Sequence, residues 1–217
     1  MKKHIYFVPG TAANSKIFDR IEFPKDTYDT YCLEWIIPLS KNESITSYAK
    51  RLCAKINHEK PILIGVSFGG ILVQEMSKII ECEKLVIISS IKTKYELPKR
   101  LKLIKQFQFY RLAPIYFVKP MESLIAFMFG SKAKNRIEAY RMYLSQRSPL
   151  YLKWAIKQAL YWNQETEIEH IIHLHGDQDI IFPVENIQDC VSIKNGSHVM
   201  IITKAKKIST ILLDRLQ

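Results

Sequence analysis

The stretch IGVSFGGIL, residues 64–72, places a small polar residue, Ser67, between two glycines inside otherwise apolar sequence. The residues leading up to it, 61–66, form a short apolar run that predicts a buried strand. The residues after it, 68–80, have the pattern of a helix. The order strand, Gly-x-Ser-x-Gly, helix is typical of a nucleophile elbow, a tight turn that holds a serine hydroxyl above the edge of a sheet. An ordinary turn residue is the alternative interpretation of Ser67.

Predicted strands and helices alternate along most of the chain. Most of the strand segments are apolar on both faces, which is typical of a parallel sheet that helices cover on both sides. The predicted helices are 44–56, 68–80 and 206–216. The sequence predicts an α/β fold with a six-stranded, mainly parallel sheet, whose strands are 4–8, 30–37, 61–66, 84–90, 170–175 and 190–194.

The alternation stops in one internal segment, residues 91–165, which has helical stretches and no convincing strand. The apolar spacing of residues 150–162 predicts a helix that leads back to the sheet. We therefore expect residues 1–90 and 166–217 to form one core, with 91–165 inserted as a helical cap. Its aromatic side chains are interpreted mainly as a core, and some as the lining of an apolar cleft facing the serine. They include Phe107, Phe109, Tyr110, Tyr116, Phe117, Phe127 and Phe129.

An acid and a base for the serine follow two later strands. A serine hydroxyl is a weak nucleophile until a base takes its proton, and the base needs a carboxylate to hold its tautomer. The sequence HGDQD places Asp177 and Asp179 after one apolar strand, and GSH places His198 after the last strand. The carboxyl ends of parallel strands meet at one edge of the sheet, where such folds build their sites. The order Ser67, Asp, His198 therefore predicts a catalytic triad with two candidate acids.

Together the motifs VPGTAAN, GVSFGG, HGDQD and GSH resemble the α/β-hydrolase superfamily over about 140 residues outside the cap. The resemblance implies that Ser67 is the nucleophile and His198 the general base. The family's acid usually lies three residues after a glycine, which selects Asp179 and leaves Asp177 as the second choice. The implied function is a serine hydrolase that cleaves a carboxylic ester or thioester, with no metal or organic cofactor.

The same resemblance implies an oxyanion hole formed by two backbone amides, those of Phe68 and Thr11. Many relatives carry His-Gly in the loop before the second amide, whereas this chain has Pro9-Gly10. Because the contact is made by the backbone, we expect it to be retained. Two strands that often begin the sheet in relatives have no counterpart here, and the cap identifies no subfamily. Two other functions stay open: a non-hydrolytic enzyme of lyase type on the same fold, and a ligand-binding protein with low turnover.

Three histidines in one predicted strand, His170, His173 and His175, raise the alternative of a metal site. Strand alternation places His173 and His175 on one face and His170 on the other, and no cysteine lies nearby. We therefore interpret them as packed or hydrogen-bonded side chains and predict no metal site.

The net charge of +11 comes from the inserted segment. Residues 91–165 hold 15 Lys or Arg against 4 Asp or Glu, while the rest of the chain holds 17 of each sign. A solvated face is one interpretation. The alternatives are an acidic partner, such as an acyl carrier protein, or the anionic surface of a membrane. The chain has no nucleic-acid recognition motif, so we expect no nucleic-acid partner.

The sequence also indicates a compartment. No apolar run approaches the roughly 18 residues that a membrane-spanning helix needs. The apolar stretch near the start of the chain is shorter than the roughly 7 to 15 residues of a signal peptide. We therefore expect a cytoplasmic protein whose widely spaced cysteines are free, buried thiols. They are Cys32, Cys53, Cys82 and Cys190.

Overall fold

The computed structural model describes residues 2–107, 142–146 and 148–217. The strands in these residues form one sheet in the order β2-β1-β3-β4-β5-β6, and every neighbouring pair is parallel. This confirms the six-stranded parallel sheet expected from the sequence. The strands are β1 (Lys3–Val8), β2 (Tyr28–Cys32), β3 (Ile62–Val66), β4 (Lys84–Ile88), β5 (Ile172–Gly176) and β6 (Val191–Ile193).

Helices connect the strands, as the alternating pattern predicts. The closing helix predicted at 206–216 is confirmed at Ala205–Arg215, and a short helix that was not predicted, Met200–Thr203, precedes it by one residue. The described residues also form short 3-10 helices at Ser15–Phe18, Lys94–Glu96 and Val184–Asn186. The described α-helices are α1 (Ile45–Cys53), α2 (Phe68–Ser77), α3 (Lys99–Gln106), α4 (Pro149–Tyr161), α5 (Met200–Thr203) and α6 (Ala205–Arg215).

Two apolar layers sandwich the sheet because successive strand side chains point to opposite faces. On one face Leu63 and Ile87 join a core that includes buried residues of α1, α2 and α4. On the other face Ile64 and Val86 join a core that includes α6. Strand β3 is buried along its whole length, since it lies between β1 and β4 with both faces covered. The sheet thereby fixes the position of the turn that follows β3.

Strand β2 is shorter than the apolar run 30–37 predicts. Its pairing with β1 ends at Cys32, and the amide of Leu33 donates one more hydrogen bond, over 2.8 Å, to the carbonyl of Phe7. Strand β1 itself ends at Val8, so no strand edge remains for the rest of the run to pair with. Trp35 is still buried, and its indole Nε1 donates to the carbonyl of Gly10 over 2.9 Å. The apolar residues after Cys32 therefore cover the carboxyl edge of the sheet instead of extending it.

Part of the predicted cap, residues 108–141 and 147, lies outside the described residues, as do the cap aromatics beyond Phe107. The described ends of the segment carry α3 and α4. Helix α4 confirms the helix predicted at 150–162, and its Tyr151 and Trp154 are buried in the core. The limits of the cap at 91 and 165 stay a prediction.

The four cysteines are free thiols, of which Cys53 is buried and the other three are partly buried. Burial raises the pKa of Cys32 to about 12 and that of Cys53 to about 11. Both thiols therefore stay protonated at neutral pH. Within the described part of the chain, no helix is both long and apolar enough to cross a membrane.

Candidate active site

The turn between β3 and α2 holds Ser67 in a strained backbone conformation, with φ 54° and ψ −118°. A non-glycine residue in such a region costs about 1–3 kcal/mol and needs support from its surroundings. The amide of Ser67 donates to the carbonyl of Ile88 over 2.9 Å, and its carbonyl accepts from the Ser90 hydroxyl at 2.7 Å. The end of β4 thus holds the turn in place.

Close backbone approach explains the two glycines of the elbow. A Cβ on Gly65 would lie 2.2 Å from the carbonyl oxygen of Gly69. A Cβ on Gly69 would lie 2.3 Å from the carbonyl oxygens of Val8 and Pro9. Any side chain at either position would force the elbow away from β1, because backbone atoms cannot move as a flexible side chain can.

His198 connects Ser67 to Asp179. Its Nε2 lies 2.9 Å from the Ser67 Oγ, and its Nδ1 lies 2.8 Å from the Asp179 Oδ2. An ionised carboxylate only accepts hydrogen bonds, so Nδ1 carries the proton and Nε2 is left to accept from the serine hydroxyl. The imidazole is therefore oriented to take the Ser67 proton. The structure brings together three side chains that lie far apart in the sequence.

Asp179, rather than Asp177, faces His198. Asp179 is buried and Asp177 is exposed. The second oxygen of Asp179, Oδ1, accepts the amides of Ile181 at 2.8 Å and Phe182 at 3.0 Å. Burial alone would raise the pKa of Asp179, but the charge and hydrogen bond of His198 and the Phe182 amide outweigh it and lower the pKa. The carboxylate is therefore charged at neutral pH.

The loops that carry the acid and the base are bonded to each other. The amide of Gln178 donates to the carbonyl of Gly196 over 2.9 Å, and that of Asp177 donates to Ile193 over 3.3 Å. A Cβ on Gly176 would lie 2.1 Å from the Gly196 carbonyl oxygen, so glycine is required for this approach. These contacts keep the acid loop and the base loop at a constant separation.

The two predicted oxyanion amides lie close to the serine. Phe68 begins α2 directly after Ser67, where the positive end of the helix dipole lies. Thr11 follows Gly10, and a Cβ on Gly10 would be only 3.6 Å from the Cβ of Ser67. Among the described residues, neither the Phe68 nor the Thr11 amide has a hydrogen-bond acceptor. Both N–H groups are therefore available to a bound anion.

Two side chains that sequence reasoning missed hold the loop on either side of Thr11. Trp35 donates its indole N–H to the carbonyl of Gly10, as described above. The phenol of Tyr151 accepts from the amide of Ala12 over 3.4 Å. The only signal for either was its place in an apolar run, which indicates burial but not a polar contact. The segment that follows β2 and helix α4 therefore both contact the loop at the edge of the site.

The histidines of β5 form hydrogen bonds, as predicted for His173 and His175. Nε2 of His173 lies 3.1 Å from Nδ1 of His175, and Nε2 of His175 lies 2.7 Å from the carbonyl oxygen of Phe182. His170 does not share their strand, because β5 begins at Ile172 and His170 occupies a turn with φ 58°. Its predicted place on the opposite strand face is wrong. Among the described residues, no group of His, Cys, Asp and Glu could hold a metal ion.

No family model matches the sequence, and no curated protein matches it. Solved structures do resemble the fold over nearly the whole chain. An epoxide hydrolase from Bacillus megaterium is 12% identical with a TM-score of 0.75, covering 100% of this chain and 94% of that one. A thermophilic esterase from Thermogutta terrifontis is 16% identical with a TM-score of 0.69, covering 100% and 90%.

A third structure names the shared architecture. An α/β-hydrolase-fold protein from Burkholderia ambifaria is 14% identical with a TM-score of 0.69, covering 99% of this chain and 91% of that one. At these identities the likeness shows the fold and not the reaction. The chain has the α/β-hydrolase fold.

Proposed function

We propose that the protein is a serine hydrolase that cleaves a carboxylic ester or thioester through an acyl-enzyme. The observation that carries the proposal is the hydrogen-bonded chain from the Ser67 Oγ through His198 to Asp179, with both contacts at 2.8–2.9 Å. Solved structures of the same fold include an esterase and an epoxide hydrolase, which supports hydrolysis in general.

In the first half-reaction the Ser67 Oγ attacks the acyl carbon while its proton passes to Nε2 of His198. The amides of Phe68 and Thr11 bind the oxyanion of the tetrahedral intermediate, worth about 3 to 4 kcal/mol for one donor in comparable sites. Collapse of the intermediate breaks the bond to the leaving oxygen or sulfur, which takes the proton from His198. Asp179 keeps the imidazole oriented and stabilises its positive charge.

In the second half-reaction water attacks the acyl-enzyme, and Nε2 of His198 takes the proton of that water. Collapse releases the carboxylic acid, and the proton returns to Ser67. We propose an acyl group with an apolar part. This is supported by the side chains beside the base: the ring of Phe182 lies 5.6 Å from that of His198, and Ile180 is exposed next to the acid.

An acidic carrier protein is the partner we propose to present the acyl group. Helix α3 carries Lys99, Arg100, Lys102 and Lys105, and none of them is paired with a carboxylate of the described residues. Arg100 donates to the carbonyl of Ile181 over 3.0 Å, so this helix lies beside the loop that holds the acid. Four cations next to the site favour a partner with complementary negative charge.

An anionic membrane is the weaker alternative for the same helix. A helix that lies in a membrane surface buries a continuous apolar face. Helix α3 has eight residues, and Leu103 is its single exposed large apolar side chain. We propose a cytoplasmic location for this reaction, supported by four free thiols, which suit a reducing compartment.

The hydrolase proposal is tested by labelling the protein with a fluorophosphonate and by assaying nitrophenyl esters of increasing chain length beside an acyl-protein thioester. We expect labelling at Ser67 and turnover of at least one ester or thioester. Labelling without turnover would favour a non-hydrolytic enzyme of the same fold. A protein that binds the esters but is neither labelled nor active would be a ligand-binding protein, and the proposal would be wrong.

The carrier proposal is tested by charge reversal on α3. The double variant Lys99→Glu/Lys102→Glu is compared with Lys206→Glu/Lys207→Glu, which removes two exposed cations from α6. We expect only the α3 variant to raise KM for the acyl-protein thioester, by about 10-fold or more, and high salt to do the same to the wild type. Equal effects of both variants, or binding of the wild type to anionic vesicles instead, would overturn the carrier proposal.

A further inference from the structure

A second histidine lies behind the acid of the candidate triad. Nε2 of His175, on β5, is 2.7 Å from the carbonyl oxygen of Phe182 and 3.5 Å from Oδ2 of Asp179. The His175 side chain is fully buried, as is that of Asp179. The same Oδ2 accepts from His198, so this oxygen lies between two imidazole rings. The triad mechanism makes no use of His175.

The neighbours of His175 determine where its proton lies. A carbonyl oxygen only accepts hydrogen bonds, so Nε2 of His175 carries a proton and Nδ1 is an acceptor. The group that donates to this Nδ1 is Nε2 of His173, at 3.1 Å. His173 therefore fixes the tautomer of His175, and the N–H of His175 points at the Phe182 carbonyl and the Asp179 carboxylate.

Both rings are neutral in the folded protein. Burial, then the neighbouring charge of His175 and of Lys92, lower the pKa of His173 well below its ordinary value. Burial is also the largest cause that lowers the pKa of His175. The pair thus presents a fixed N–H dipole to the carboxylate at neutral pH, and it does not present a second positive charge.

The contacts of His175 complete a closed cycle of polar contacts that joins Asp179, Phe182 and His175. Oδ1 of Asp179 accepts the amide of Phe182, and the carbonyl of Phe182 accepts the N–H of His175. Oδ2 of Asp179 faces both His175 and His198. The turn from Asp179 to Phe182 is therefore stabilised by the amides that donate to the Asp179 carboxylate and by the imidazole of His175, which donates to the Phe182 carbonyl.

We propose that His175, oriented by His173, is a positioning residue that fixes the Asp179 carboxylate and the turn that carries it. This inference rests on the proposed hydrolase function, because Asp179 acts through His198 in that reaction. Loss of the N–H would let the turn shift, and a misplaced acid would misorient His198. The His175 and Asp179 side chains are fully buried, whereas Phe182 of the same turn lies at the proposed acyl site, so the loss should reduce kcat more than it raises KM.

The pH profile should also change, because the N–H dipole partly offsets the negative charge of Asp179. Without it, the carboxylate attracts the protonated form of His198 more strongly. We therefore expect the acidic limb of kcat/KM to move to higher pH. The charged or titratable groups of the described residues that face the pair are Asp179 from the turn after β5, His198 from the loop after β6, and Lys92 from the segment after β4.

The test compares three substitutions of His175. In His175→Gln the amide nitrogen reaches the place of the imidazole Nε2 and can donate to the same Phe182 carbonyl oxygen, with Asp179 nearby. His175→Leu has no donor, and the amide of His175→Asn is too short to reach the turn. The control is His58→Leu, which removes another hydrogen-bonded histidine, 2.6 Å from the Tyr6 hydroxyl at the opposite end of β1.

We expect His175→Leu and His175→Asn to lower kcat by about 10-fold with a smaller change in KM, and to move the acidic limb upward. His175→Gln should stay within about 3-fold of the wild type with the limb in place. Should the leucine variant fail to fold, the asparagine and glutamine variants alone carry the comparison. The control should keep both kcat and the pH profile.

Two results would overturn the inference while the hydrolase proposal stands. In the first, the wild type is active and all three variants have its kcat and its acidic limb. In the second, the glutamine and leucine variants lose kcat equally and the acidic limb does not move in either. The second result would mean that the imidazole of His175 contributes only packing and not a hydrogen bond. A wild type that is neither labelled by a fluorophosphonate nor active on esters and thioesters would overturn the proposed function, and the inference with it.

Discussion

Two clusters of histidines and their polar or aromatic partners lie at opposite ends of the sheet. The carboxyl-end cluster consists of Asp179, His175 and His198, and the amino-end cluster consists of His4, Tyr6 and His58. In the second cluster the rings of His4 and His58 stack with centroids 3.6 Å apart, and His58 Nδ1 lies 2.6 Å from the Tyr6 hydroxyl.

The difference between the clusters lies in the partners of the imidazole. A phenol both donates and accepts, so it does not fix the tautomer of His58. A carboxylate only accepts, so Asp179 fixes the tautomer of His198. Only the carboxyl-end cluster also faces a serine in a strained turn. A histidine thus acts as a general base when a carboxylate fixes its tautomer and a serine faces its free nitrogen. Burial or a hydrogen bond alone is not sufficient.

The sharpest contrast between the clusters is removal of the base itself. We expect His198→Ala to lower kcat by about 100,000-fold, because the serine then has no group to take its proton. The equivalent change, His58→Ala, should leave kcat within about 2-fold, because distant sites act independently. Steady-state assays on the best nitrophenyl ester measure both. Similar losses of kcat in the two variants would mean that both substitutions act by disturbing the fold, and not by removing a catalytic base.

Asp179→Asn tests the role of the carboxylate in fixing the tautomer. The asparagine amide can donate to Nδ1, which stabilises the wrong tautomer of His198, so we expect kcat to fall by about 10,000-fold. Asp177→Asn is the matched control, since Asp177 is exposed in the same motif. The assignment of Asp179 would be wrong if the two variants were equally active.

The neutral histidines of β5 should make stability depend on pH. Their pKa values are lowered in the folded state, so below about pH 6.5 the unfolded chain binds protons that the folded chain does not. The free energy of unfolding should therefore fall with falling pH, by up to about 1.4 kcal/mol per pH unit for each ring. Urea unfolding between pH 5 and 7 measures the slope, which should be smaller in His173→Leu. An unchanged slope would contradict the neutral state of His173.

A smaller effect is expected at the loop that carries the second oxyanion amide. Trp35→Phe keeps the ring but removes the N–H that holds the Gly10 carbonyl. The loop should then hold the amide of Thr11 less firmly, and we expect kcat to fall by about 5-fold with little change in KM. Trp154→Phe is a control, since its N–H bonds the Glu43 carbonyl instead. Equal kcat in both variants would mean that the Trp35 N–H does not position the Thr11 amide.

Much of the fold follows from local pattern. The six apolar runs predict the strands because a parallel sheet buries both faces, and the elbow motif marks where β3 meets α2. The end of β2 was not predictable, since Leu33 and Trp35 are as apolar as strand residues, and only the end of β1 shows that they have no partner. Burial and strand pairing are separate properties, and a single sequence reveals mainly the first.

The site follows from the sequence in part. Ser67 and His198 stand in recognisable motifs, and a parallel sheet brings strand ends together. The residue pattern by itself allows Asp177 or Asp179, and the resemblance to the family selects Asp179. The turn that buries Asp179 and exposes Asp177 is visible only in the structure. The contacts of Trp35, Tyr151 and His175 arise from side chains that meet across elements distant in the chain. Nothing local in the sequence marks such contacts.

The most direct test of the account is the rate at which a fluorophosphonate phosphonylates the Ser67 hydroxyl. Intact-protein mass spectrometry after brief exposure to a fluorophosphonate should show one adduct, located at Ser67 and absent from Ser67→Ala. The adduct should form far more slowly in His198→Ala and Asp179→Asn than in the wild type. Equal labelling rates in all three proteins, or an unlabelled wild type, would contradict an activated serine and the catalytic triad on which the account depends.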